Sequence, residues 1–191
     1  MQENKFAETV ILIDAKYFEF LTSDFKANFE RMLGRDLKTI DLSDFLTYIS
    51  LEGGVSNSDN NIQVIFIYDQ TQSQFTHCIP ASIKDELNGT AFKNNLGEYS
   101  MHSFSNENLV SVQEMYLDSL NTILESKDVK RLLVVGDNEK YGKELAELLD
   151  NSNGKLLVNF SMTPPTGKEK YKTEIIGYSI MEALGIRSEE L

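Results

Sequence analysis

The sequence predicts an α/β domain with a largely parallel central sheet and helices on both faces. Two observations carry this. Short apolar runs, "TVILID", "NIQVIFIYD" and "RLLVVGD", alternate with segments of helical periodicity, and that alternation is what parallel strands joined by crossover helices require. The runs are also near-continuously apolar, as strands covered on both faces are. A chain of 191 residues has room for one domain with a sizeable core, and no linker or repeat divides 1–191.

The elements follow in order. "TVILIDAKYF" (9–18) opens with a buried strand that ends at Asp14. "SDFKANFERMLG" (23–34) predicts a helix capped by Ser23 or Asp24, with Phe25, Phe29, Met32 and Leu33 as its stripe and Gly34 as its stop. "DLSDFLTYISLEGG" (41–54) repeats the design with Leu42, Phe45, Leu46 and Ile49. "NIQVIFIYDQ" (61–70) is a second buried strand ending at Asp69, and "QFTHCIP" (74–80) reads as an edge strand closed by Pro80. Residues 81–97 are polar and turn-rich, which suits a loop or insertion: a lid, a homodimer contact or decoration. "GEYSMHSFS" (97–105) has strand character, with Tyr99, Met101 and Ser103 on one face.

"NENLVSVQEMYLDSLNTILES" (106–126) predicts a helix capped by Asn106 or Asn108, with Val110, Leu117, Leu120 and Leu124 inward. A strand at 131–136, Asp137 and a helix at 140–150 come next, and a strand at 153–162 follows an Asn-Gly turn. "YKTEIIGYSIMEALGI" (171–186) predicts a closing helix, with Ile175, Ile176, Ser179 and Ala183 inward.

Composition narrows the function classes. The formal net charge is −12, and such a field repels nucleic acid at long range. No apolar run is long enough to span a bilayer, so no membrane partner is expected. "MQENKFAET" lacks the pattern of a secretory signal, and Cys78 is the sole cysteine. Together they point to the cytoplasm.

The chemistry is sought beyond the carboxyl ends of the strands, where open parallel sheets bind ligands. Asp14, Asp69 and Asp137 all stand there. Clustered, they would suit Mg²⁺ or Mn²⁺; alone, each is a helix cap, a turn residue or a solvated side chain. Glu114 and Asp118 lie four residues apart, on one helix face, where they serve a cation or simply face water. "GKEKYK" carries Lys168, Lys170 and Lys172 around Tyr171, a basic island that suits a single-stranded backbone or a solvated loop. His77, His102 and Cys78 lack partners at metal-ligand spacing, and no phosphate-binding glycine motif is present.

"VILIDAKYF", "SVQEMYLDSL" and "LLVVGDNEKYGKELAELL" resemble, in order and element type, the successive motifs of the NYN branch of the PIN-like ribonucleases. The resemblance covers most of the chain. It implies a Rossmann-like (PIN-like) three-layer sandwich. It also implies a divalent-metal site at which Asp14, Asp118 and Asp137 are catalytic, with Glu139 at the motif's second acidic position and Glu114 beside them, cleaving RNA with metal-activated water. The chain departs from the pattern in three places. Ala15-Lys16 follow the first aspartate, Ser111 or Val112 stands where an early-helix carboxylate is expected, and Glu139-Lys140-Tyr141 replace Asp-Phe. Two readings result: a metal-dependent ribonuclease acting on single-stranded RNA, and a catalytically degenerate binding module on the same fold, whose acidity favours a protein partner.

Overall fold

The computed structural model describes residues 5–191; "MQEN", the first part of the stretch that lacks a secretory pattern, lies outside them. A seven-stranded sheet runs in the order β5-β6-β3-β1-β7-β8-β9. Its strands are β1 (Thr9–Asp14), β3 (Asn60–Tyr68), β5 (Ala91–Asn94), β6 (Gly97–Ser105), β7 (Arg131–Val135), β8 (Leu156–Ser161) and β9 (Lys172–Ile175). All neighbours pair in parallel except β5, which returns antiparallel along β6. This is the α/β architecture that the alternating pattern predicts.

Helices α1 (Ala15–Leu33), α2 (Leu42–Glu52) and α5 (Ile176–Ala183) cover one face, and α3 (Val112–Glu125) and α4 (Asn138–Asn151) the other. Strand β1 feeds both cores. Ile11 and Ile13 pack with Phe18, Phe45 and Ile180, while Val10 and Leu12 pack with Tyr116, Tyr141 and Leu145. All four β1 side chains are fully buried, each contributing about 1.5–3 kcal/mol relative to exposure.

Several elements differ from the sequence expectation. Helix α1 starts at Ala15, eight residues before the expected Ser23, because Asp14 caps it and Tyr17, Phe18 and Leu21 begin the buried stripe. The 74–80 segment is no edge of the main sheet. Its Cys78–Ile79 (β4) pairs in parallel with Ile40–Asp41 (β2) as a separate two-stranded sheet. The edge is made instead by residues placed in the 81–97 loop, which form a π-helical turn at Ile83–Leu87 and then β5. Helix α3 begins after Ser111, whose side chain and that of Glu114 form a reciprocal cap. Neither Asn106 nor Asn108 caps it, and Val110 lies outside the helix, exposed. The closing helix is split: Lys172–Ile175 extend along β8 as β9 before α5 begins.

Gly97 opens β6 at φ +146°, and a Cβ there would stand 2.0 Å from the Asn60 carbonyl oxygen of β3. Gly154, at φ +77°, has open space around the same position. Urea unfolding should therefore separate the two. Gly97→Ala should lose about 2–4 kcal/mol through backbone collision, and Gly154→Ala only about 1 kcal/mol through left-handed strain.

Candidate functional site

Because β1, β3 and β7 are parallel neighbours, their carboxyl ends share one rim. Asp14, Asp69 and Asp137 all line the cavity there, of about 900 Å³, together with the start of α1, the start of α3 and the first turn of α4.

Asp14 is the innermost of these. It ends the central strand and is 4 % exposed. Its Oδ1 accepts the amides of Lys16 (3.0 Å) and Tyr17 (3.1 Å), capping α1. Its Oδ2 accepts the hydroxyl of Tyr141 at 2.6 Å. Burial pushes the Asp14 carboxyl above the ordinary aspartate range; the Tyr141 hydrogen bond and the Tyr17 amide pull it back, and the nearby charge of Asp137 raises it again. The same surroundings push the Tyr17 hydroxyl up to about 12, through burial and then the charges of Asp137, Glu139 and Asp14.

Asp137 plays the matching part at β7. Its Oδ1 accepts the amides of Glu139 (3.2 Å) and Lys140 (3.1 Å), capping α4, and its Oδ2 faces the Lys140 ammonium at 3.4 Å. A carboxylate at each helix start also meets the positive end of the helix dipole. Asp69 closes a turn, accepting from the Thr71 amide and hydroxyl, and pairs with Lys16 at 3.5 Å. Glu139 is exposed on the rim.

Asp118 stands elsewhere. It is exposed on α3 and lines a second groove, between that helix and the open face of β6, with His102, Phe104 and Met115. Glu114 lines neither cavity: its Oε2 accepts the Ser111 amide and hydroxyl, both at 2.9 Å, and these bonds hold its carboxyl below the usual range. Lys168, Lys170 and Lys172 also line neither. The Lys170 amide donates to Asp150 near the far end of α4, and Lys172 pairs with Glu174 on β9. The Cys78 thiol is buried, and burial raises its pKa.

The donors at the rim fit the implied divalent cation poorly. Both oxygens of Asp14 are already taken by protein donors, and Asp118 lines the other groove. Among the described residues, no three His, Cys, Asp or Glu side chains are grouped to hold a metal ion. None of the described helices is long and apolar enough to cross a membrane.

A model described as a family of unknown function (DUF6621) matches residues 3–191. The chain belongs to this family. No curated protein and no solved structure matches it.

In this DUF6621 chain the rim holds residues that the motif reading passed over. Tyr141 counted there only as a departure from Phe, yet it is the residue on Asp14. Glu19, buried one turn into α1, accepts the Thr76 amide with both oxygens (3.2 and 3.0 Å) and so holds the 70–82 excursion against the rim. Phe20 is 61 % exposed beside the cavity. A helix read from residue 15 instead of 23 would have placed Tyr17, Glu19 and Phe20 together at this rim.

Asp14→Ala should lose about 2–4 kcal/mol in denaturant unfolding, since it removes a cap and strands the Tyr141 hydroxyl. Asp14→Asn keeps a capping oxygen and should lose less. The raised Asp14 pKa adds a pH signature. Its contribution to stability is present below the ordinary aspartate range and is lost as pH rises through the folded value. The wild type should therefore lose ground against Asp14→Asn as pH increases across that window, as melting temperatures of both proteins will show.

Proposed function

We propose that the chain is a PIN-like α/β binding module, without nuclease activity, whose rim cavity takes a basic segment of a protein partner. One observation carries the reading: Asp14, the carboxylate on which a metal-dependent nuclease would centre, is buried and already accepts two helix amides and the Tyr141 hydroxyl. Asp14 is thus a structural group, and the surface around it decides what the cavity accepts.

That surface is acidic. Asp14, Glu19, Asp24, Asp69, Asp137 and Glu139 line the cavity against Lys16 and Lys140. The sign opposes a phosphate backbone and favours lysine or arginine. Phe20 offers an exposed ring, on which a guanidinium or an apolar side chain can rest. Asp24 is exposed at the same mouth. The ribonuclease reading keeps one support, that Asp14 and Asp137 line the same cavity.

Titration with an arginine-rich peptide containing one aromatic residue tests the proposal. Binding should weaken about tenfold with Asp24→Lys or Phe20→Ala, the latter matching the ~1.4 kcal/mol that one good contact supplies. It should fall with added salt and be unchanged by Asp118→Asn. Single-stranded RNA should show neither binding nor Mn²⁺-dependent cleavage. Cleavage that Asp14→Asn abolishes would overturn the reading.

A further inference from the structure

At Asp14 the mismatch between the implied cation and the rim has a specific cause. Tyr141 lies in the first turns of α4, where its backbone leaves helical values (φ −133°, ψ 28°). Its ring is packed against Tyr116 of α3 with centroids 5.5 Å apart. Tyr116 is itself fully buried, and its hydroxyl reaches the Leu12 carbonyl of β1 at 3.4 Å. Packing of α3 against α4 therefore holds the Tyr141 ring, and the phenol O–H ends on Asp14 Oδ2 rather than in solvent. Neighbouring Asp137 has Oδ1 on two amides, while Oδ2 meets only the Lys140 side chain, itself 71 % exposed.

We infer that the Tyr141 hydroxyl is the group that keeps a divalent cation off the rim, by occupying the face of Asp14 that a cation would need. The inference rests on the binding-module reading above and goes further, because it assigns the closure to one hydroxyl. A neutral O–H donor satisfies a single carboxylate oxygen at short range. A cation would instead have to draw Asp14 and Asp137 together as shared oxygen ligands. Tyr141 makes that second arrangement unnecessary to the fold, and it blocks the approach. Lys140, the residue before Tyr141 in the chain, puts a positive charge beside Asp137 to the same end.

Calorimetric titration with Mn²⁺ alone decides the matter, using the full chain as wild type, Asp14→Asn, Tyr141→Phe, and Tyr141→Phe combined with Asp14→Asn. Tyr141→Phe keeps the ring against Tyr116 and deletes the oxygen. Thermal melting of each protein establishes that it is folded, and Tyr141→Met serves as a second variant if Tyr141→Phe has no melting transition. The wild type should give no saturable heat at millimolar Mn²⁺. Tyr141→Phe should gain at least tenfold in affinity, and the double variant should lose the gain. A silent Tyr141→Phe would overturn the inference and leave the binding-module reading standing. Saturable, Asp14-dependent Mn²⁺ binding by the wild type would overturn both. Binding by Tyr141→Phe that survives Asp14→Asn would place the cation elsewhere and overturn the inference. So would the failure of both Tyr141 variants to fold, since Tyr141 would then be needed for the fold itself.

Discussion

The carboxylate of Asp14 ties together three elements that the chain visits far apart. It ends the central strand, starts α1 through two amides and reaches the first turns of α4 through Tyr141. A buried carboxylate is tolerable only when donors satisfy it, and here three do. The fold is consequently organised around a carboxyl group that it keeps out of water. Strand β1 lies between β3 and β7, so this side chain stands at the middle of the rim formed by the three carboxyl ends.

Asp137 repeats the logic one strand away, and the pair divides the rim into two zones. The inner carboxylates are spent on helix amides. The outer ones, Asp24 and Glu139, lie at the surface. An acidic chain that satisfies its inner acids with hydrogen bonds and leaves its outer acids in water presents a negative surface at this rim. The proposed binding module would select its partner by charge and by what can lie against Phe20.

Elements with one unambiguous period were legible in the sequence. The runs that became β1, β3, β6, β7 and β8 were recognisable from near-continuous apolar residues or clean alternation, and α2 from its stripe and paired glycines. Errors arose where two signals competed. "AKYFEF" has aromatic residues suited to either strand or helix, so the Ser23-Asp24 pair is the stronger capping signal in the sequence although Asp14 is the cap. "YKTEII" precedes a helix without a break, and only pairing with β8, a long-range fact, pulls it into the sheet. The 81–97 segment is polar because its strand is an edge with one side in water. At the rim, the strand ends bring Asp14, Asp69 and Asp137 to one cavity because β1, β3 and β7 are parallel neighbours. The partners of those aspartates were not legible. Whether a carboxylate faces a cation, an amide or a phenol depends on the placement of Tyr141, which is set by packing against Tyr116.

The two borders of the main sheet carry a consequence of their own. Both β5 and β9 are four residues long, and each carries lysine, Lys93 on one and Lys172 on the other. Short, charged borders offer another chain little backbone to pair with. The longer apolar strands that would template such pairing, β1 and β3 among them, lie inside the sheet, flanked on both sides. With like-charged copies repelling one another as well, the molecule guards its most aggregation-prone segments simply by the order in which it lays down its strands.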